Sequence, residues 1–327
     1  MKQRKGLLSS KYVLSCLCHL FSNMPKRIIV TTTINPPTEA TLKFCEKKGW
    51  AFLIVGDKKT PHDLYQALEK KYSQVTYLNP EFQERKYKEL SDSIGWNSIQ
   101  RRSIGFVEAY KMGGEILATV DDDNIPYEHW GEAVHVGSEI QVDCYASENN
   151  FFDPLSVTNV SHLWHRGYPV EHVSTKNRVQ YLGKKKRNVL VQADLWDGDP
   201  DIDATARITF RPIVKMDISE LYCSCNLAPF NSQNTFLHRS VLPHYMVLPH
   251  IGRMDDIWAS YMLQKQFPDS VIYGPATVYQ ARNTHNLIAD LEGEIIGYRN
   301  TLQFLQGTYP LPEQTQKAYE IYRNCFT

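Results

Sequence analysis

The sequence predicts an α/β fold with a mostly parallel central sheet and helices on both faces, and three observations predict it. Short β-branched and apolar runs alternate with helix-compatible segments through the first 120 or so residues. Each run ends in a turn rich in Gly, Asp, Asn or Pro. At 327 residues with 42% hydrophobic content, the chain can bury a sizeable core as one large domain or two smaller lobes.

The elements follow in order. Lys2, Arg4 and Lys5 precede a modestly apolar stretch, Tyr12 to Phe21, that is too short to cross a bilayer, which needs about 20 residues. Residues 1–24 are therefore expected to be a leader or short amphipathic segment, residues 25–310 a single domain, and residues 311–327 a C-terminal helical tail. Arg27 to Thr32 reads as the first strand, and Thr33-Ile34-Asn35-Pro36-Pro37 as the loop into a helix ending near Gly49. Ala51 to Val55 is the second strand; Thr60 is then expected to cap the next helix, with Pro61 in its first position. Val75 to Leu78 is the third strand. A helix from Asn97 or Ser98 to Gly113-Gly114 carries Arg101 and Arg102 in its first turn, either as anion contacts at a positive helix end or as solvated side chains.

The next strand, Glu115 to Val120, runs into Asp121-Asp122-Asp123-Asn124. Three adjacent carboxylates repel one another and strands disfavour Asp, so folding alone gives little reason for them. A hard divalent cation shared with a diphosphate supplies one, and Asp121 with Asp123 has the DxD arrangement of nucleotide-sugar enzymes. The plainer reading is an acidic turn completed by Asn124 and Pro126. In parallel sheets ligands bind at the carboxyl ends of strands, which places Asp57 and the three acids on one edge.

Beyond residue 160 the pattern is less regular. Asp197-Gly198-Asp199-Pro200-Asp201-Ile202-Asp203 alternates acids, but its sixth and twelfth positions, Ile202 and Ile208, exclude a calcium loop of the EF-hand type. Gly252-Arg253-Met254-Asp255-Asp256 reads as a helix start with acids in the first turn. Leu287, Leu291, Ile295, Tyr298 and Leu302 mark the apolar face of a closing helix. Lys184-Lys185-Lys186-Arg187 reads as a solvated loop. Zero formal net charge gives no reason to expect nucleic acid as a partner. The seven cysteines include the pairs Cys16/Cys18 and Cys223/Cys225, show no zinc spacing, and read mostly as free thiols. A cytoplasmic or membrane-peripheral location is favoured over a Golgi or secretory lumen.

Six motifs in order resemble the STELLO-type glycosyltransferases, over about Arg27 to Tyr298. They are Thr31-Thr32-Thr33-Ile34-Asn35-Pro36-Pro37-Thr38, Val55-Gly56-Asp57-Lys58-Lys59-Thr60-Pro61, Arg102-Ser103-Ile104-Gly105, Arg166-Gly167-Tyr168-Pro169, Asp199-Pro200-Asp201-Ile202-Asp203 and Pro229-Phe230-Asn231-Ser232-Gln233-Asn234-Thr235. Asp121-Asp122-Asp123, Arg166 to Pro169, Pro200 to Ala204 and Asp255 to Ala259 are also similar to the UDP-arabinopyranose mutases. Both resemblances imply a GT-A, Rossmann-like nucleotide-diphospho-sugar transferase fold. The departures at Asn231 to Asn234 and in the first-strand loop side with the STELLO-type reading.

The resemblance implies a metal-dependent, inverting glycosyltransferase that uses a nucleoside-diphosphate sugar, UDP- or GDP-linked, and a hydroxyl on a glycan, lipid or protein acceptor. In that reading Thr32, Thr33, Asn35, Asp57 and Lys58 hold the nucleoside, and Arg101 or Arg102 the diphosphate. Asp121, Asp122 and Asp123 serve nucleotide and Mn2+ or Mg2+, with His285 completing the metal shell or serving structure only. Asp256, in its pair with Asp255, is the candidate general base. Asp199, Asp201, Asp203, Asn231, Gln233 and Asn234 are candidate contacts to sugar or acceptor. A mutase, with Arg166 as nucleophile or anchor, and a noncatalytic module of the same fold are the alternatives.

Overall fold

The computed structural model describes residues 26–282 and 286–327. The leader expected over 1–24 and His285 lie outside the described residues. Four parallel strands form the first half: β1 (Arg27–Thr33), β2 (Ala51–Gly56), β3 (Val75–Leu78) and β4 (Ile116–Val120), in spatial order 3-2-1-4. Between them run α1 (Glu39–Cys45), α2 (His62–Lys71), α3 (Pro80–Lys86), α4 (Lys88–Ile94) and α5 (Arg102–Lys111). This is the Rossmann-like α/β arrangement expected from the sequence.

The second half adds β5 (Asn124–Pro126), β6 (Glu139–Ser147), β7 (Val179–Asn188), β8 (Val191–Gly198), α6 (Ala204–Phe210), β9 (Tyr222–Ser224) and β10 (Asn234–His238). It closes with α7 (Asp255–Gln266), β11 (Val271–Gln280), α8 (Leu287–Gln306) and α9 (Glu313–Asn324). β10 enters antiparallel between β4 and β8, with Asn234 opposite Val120. β11 runs parallel to β8, and β6, β7 and β9 extend the same sheet beyond it.

Strand alternation explains the layers. Ile28, Val30, Leu53, Val55 and Leu117 face one side with Phe106 and Val107 of α5 and Trp258 of α7. Ile29, Phe52, Ile54, Ala118 and Val120 face the other with Phe44 of α1, Tyr65 of α2, Trp50 and Trp130. Each such large side chain contributes about 1.5–3 kcal/mol on burial, which outweighs the weak local preferences of these short helices. Gly105 is what lets α5 lie directly on the sheet, since a Cβ there would come within 2.5 Å of Val30 Cγ1.

Three expectations need correction. The α2 helix begins at His62 with Pro61 at its cap position, and the Thr60 hydroxyl instead accepts from Asp57 N and donates to Thr33 O. Lys184 to Arg187 belong to β7, the last strand in the sheet order, rather than to a loop. In α8 the buried face is Asp290, Glu294, Gly297, Thr301, Phe304 and Leu305, while Ile295 is exposed. Buried acids are the reason the apolar pattern misled: Asp290 and Glu294 turn inward to meet Arg253.

Candidate active site

The buried strand β4 ends at Val120, and the next four residues close a turn in which Asp121 N donates to Asn124 Oδ1 and Asn124 N to Asp121 O. The three acids then diverge, which relieves the repulsion expected of neighbours. Asp121 pairs with Arg102. Asp122 accepts from Thr33 Oγ1 and from Asn35 Nδ2 at 2.9 Å, and its carbonyl accepts from Thr38 Oγ1. Asp123 lines a cleft of about 240 Å3 together with Asp121, Arg166, Asp201, Asp255 and Arg253. Gln100, Ser232, Gln233, Asp256, Gln280 and Arg282 complete its polar wall.

A chain of charges runs beneath this cleft. Arg102 donates through Nη1 to Ser232 O and, at 2.9 Å, to Ser232 Oγ, while its Nη2 holds Asp121. Ser232 in turn donates through N at 2.8 Å and Oγ at 3.0 Å to Asp256 Oδ2. Arg166 Nη2 reaches Asp256 Oδ1 at 3.0 Å, and its Nε and Nη2 grip Asp201 at 2.8–3.1 Å. Asn231 Nδ2 adds a bond to Asp201 Oδ2 at 2.9 Å. Arg166 reaches this position because Gly167 turns the chain with φ +73 and approaches α7 closely; a Cβ there would lie 2.4 Å from Ile257 Cγ2.

Two adjacent acids at the start of α7 acquire different proton affinities. Burial raises Asp255, the charge of Asp256 raises it further, and Arg166 at 3.7 Å opposes both only in part, leaving it at about 7. Burial also raises Asp256, but Arg166 and the two Ser232 bonds more than offset this and hold it below the ordinary carboxylate range. Asp201 behaves likewise: burial pushes upward, and Arg166, Arg282 and Arg253 pull it well below. Asp121 is raised by burial, with Arg102 opposing.

These contacts correct several expectations. Asp256 and Arg166, which were expected as base and as nucleophile or anchor, are paired with one another at 3.0 Å at the cleft; Asp255, held by Gln100 Nε2 at 2.8 Å, lines the same cleft and has the higher proton affinity of the two acids. Arg101 does not reach the cleft. Its guanidinium bonds to Gln83, Ser91 and Gly95 and stacks 3.4 Å from the Trp96 ring centroid. Asp57 is 1% exposed, accepts from Lys58 N and Ser98 N, and does not line this cleft. Asp203 caps α6 and accepts from Tyr298, and Asp199 is taken by Arg207 and Arg282. Asn234 bonds within the sheet, to Leu195 O, Thr277 and Trp130, and does not line the cleft.

Thr32 Oγ1 donates to Val55 O, while Thr33 and Asn35 act on the site through Asp122. Lys58 lies at the sheet edge, 4.6 Å from the Trp96 ring. Arg102, Asp121, Asp123, Asp201, Asn231, Gln233, Asp255 and Asp256 are gathered at the cleft or directly beneath it. Sequence reasoning missed Gln100, Arg253, Gln280 and Arg282. Arg253 precedes the Asp255-Asp256 pair and was within reach of a motif reading; Arg282 merely follows a strand and carries no local signal.

No family model matches the chain. Over 261 residues, covering 72% of this chain and 33% of the relative, it is 24% identical to "Probable glycosyltransferase STELLO2" of Arabidopsis thaliana. It is 25% identical over 260 residues to "Probable glycosyltransferase STELLO1" of the same plant. The similarity to STELLO proteins expected from the motifs is thus found, and the chain spans about a third of the length of the curated relatives it matches. A solved structure, the mannosyltransferase PcManGT of Pyrobaculum calidifontis in complex with GDP-Man and Mn2+, aligns over 96% of this chain and 76% of its own at 10% identity and a TM-score of 0.44.

Proposed function

We propose that the chain is a GT-A type glycosyltransferase that moves a sugar from a UDP- or GDP-linked donor to a hydroxyl of a glycan, lipid or protein, with inversion at the anomeric carbon. The observation that carries this reading is the shared cleft: two aspartates from the end of β4 lie in one cavity with Asp255, which has the proton affinity of a general base.

Among the described residues no cluster of three or more His, Cys, Asp or Glu could cage a metal. Asp121 and Asp123 on one wall, with one oxygen of Asp121 already held by Arg102, instead match an ion bound by one or two carboxylates and completed by diphosphate and water. Such an ion supplies charge neutralisation at the leaving diphosphate. The protein supplies the rest. Arg253 and Arg282 extend the positive wall toward the departing group. Asp255 accepts the proton of the acceptor hydroxyl as its oxygen attacks the anomeric carbon. Arg166 and Asp256 keep Asp255 and the Ser232 loop in register. The cleft is smaller than the ~300–1,000 Å3 typical of ligand pockets, so it takes the reacting end of the donor, with the nucleoside along the β1 and β2 edge near Lys58 and Trp96.

Thermal melting with a panel of nucleoside diphosphates, each with and without Mn2+, tests the reading. A nucleotide that raises the melting temperature only when metal and intact Asp121 and Asp123 are present supports it, by mass action on the folded state. The absence of a shift with every nucleotide would favour a noncatalytic module.

A further inference from the structure

Beyond β11 in the sheet, β6, β9 and the turn after β9 hold three cysteines that the proposed transfer reaction does not use. Cys144 of β6 and Cys223 of β9 are buried and paired in register, and Cys225, just past β9, is exposed. Cys144 Sγ and Cys225 Sγ lie 3.2 Å apart. One nitrogen of Arg187, Nη2, faces both sulfurs, at 3.4 Å from Cys144 and 3.5 Å from Cys225. Arg187 is itself steadied by Asp269 at 3.1 Å. Cys225 N donates to Tyr145 O at 3.1 Å, so the backbone holding the exposed thiol is fixed against β6.

We propose that Cys144 and Cys225 form a thiol–disulfide exchange site, in which exposed Cys225 reacts with a small-molecule disulfide such as oxidised glutathione and Cys144 resolves the adduct. A disulfide needs an S–S separation of about 2.05 Å, so the sulfurs must approach by roughly 1 Å, a movement within reach of side-chain rotation. In the first step the Cys225 sulfur attacks one glutathione sulfur, the glutathione S–S bond breaks, and one glutathione leaves as the thiol after taking up a proton. In the second step Cys144 Sγ attacks the Cys225 sulfur, the mixed disulfide breaks, and the second glutathione leaves with the Cys144 proton. Oxidised glutathione is thereby reduced by two electrons, and the two protein thiols are oxidised by two. The Arg187 guanidinium places positive charge beside whichever sulfur carries negative charge during exchange. Burial raises the Cys144 thiol, so the accessible partner, Cys225, is the one that starts the reaction.

The crosslink would join residues 81 apart in sequence and fasten β6 to the start of the segment that leads through Pro229 to Asn231, Ser232 and Gln233 at the cleft. This inference does not depend on the glycosyltransferase reading. The full chain, purified reduced and then incubated with oxidised glutathione, is alkylated and digested without reductant for peptide mass spectrometry. The expected result is a linked peptide pair containing Cys144 and Cys225, reversed by dithiothreitol. Cys144→Ser should trap Cys225 as a lasting glutathione adduct, and Cys225→Ser, at an exposed position, should leave Cys144 a free thiol that is alkylated once the chain is denatured. An unreacted Cys225, a lasting adduct on Cys225 in the parent chain, or a Cys144–Cys223 link would each overturn the proposal.

Discussion

Replacing Arg166 by Met separates an organising cation from a catalytic one. Arg166 is the shared partner of Asp201 and Asp256, and all three side chains are less than a tenth exposed. Removing one member of such a buried set leaves its partners charged without compensation, at a cost of about 3–5 kcal/mol. For a chain of this size that corresponds to a fall in melting temperature of about 5–10 °C. The pH dependence identifies the cause. In the parent chain Asp201 and Asp256 have folded pKa values below their unfolded values, so the stability from pairing is complete above the unfolded value near ~4 and disappears as the pH falls through the folded values. In the variant the largest opposing charge is gone, so burial raises both carboxyls from their parent values, with only Arg282 and Arg253 still opposing it at Asp201 and the Ser232 bonds at Asp256. The destabilisation should therefore be greatest at pH 8 and shrink toward pH 5, as the stranded acids take up protons. Melting curves of both proteins at pH 5, 6.5 and 8 measure this. A variant that melts within about 2 °C of the parent at pH 8 would refute the account and restore Arg166 as a candidate nucleophile.

Asp255→Asn should lower sugar transfer by about 10²–10⁴-fold while nucleotide and Mn2+ still raise the melting temperature. In the parent, the rate should climb with pH and level off above about 7, as Asp255 loses its proton; release of nucleoside diphosphate at several pH values checks both points. Arg101→Met should cost about 2–3 kcal/mol through its lost bonds to Gln83, Ser91 and Gly95. Nucleotide affinity should stay within about threefold, because the side chain does not reach the cleft, and titration calorimetry of a stable preparation would expose any direct phosphate contact as a larger loss. Asp194, buried in β8 between Gln192 and Thr277, is raised by burial to about 7. Its folded form binds the proton more tightly than the unfolded chain, so it subtracts stability as the pH rises from about 4 to 7 and the whole penalty applies above that. Asp194→Asn should accordingly gain on the parent in denaturant titrations at pH 8 and not at pH 4.

The first half of the molecule was legible in the sequence because its rules are local. Strand bounds at Val75–Leu78 and the helix that ends before Gly113 follow from apolar runs and turn residues within a few positions. The acids after β4 were legible for the same reason, as charges where a strand should have none. Which way a polar side chain turns was not legible. Arg101 and Arg102 are neighbours, yet one stacks on Trp96 and the other bridges Asp121 and Ser232, a division set by partners up to 130 residues away. Asp57 and Asp203 sit at motif positions that suggest ligand contact but serve backbone N–H groups, as Asp often does at turns and caps. The buried face of α8 was displaced from the apolar one because its acids answer Arg253, and an apolar count cannot see a buried ion pair.

The reversed strand β10 has a consequence for the order of assembly. Its antiparallel entry brings the residues just before Asn234 to the same rim as the acids just after Val120, so the cleft is stitched from chain segments far apart. The bond from Gln100 to Asp255 spans 155 residues and that from Arg102 to Ser232 spans 130. The β1–β4 half can draw on contacts between successive units while the ribosome is still working, but the cleft cannot close until α7 has emerged. A folding chain is thus structured well before it is competent, and its carboxylates at Asp121 and Asp123 wait in an open half-site for the later strands to complete it.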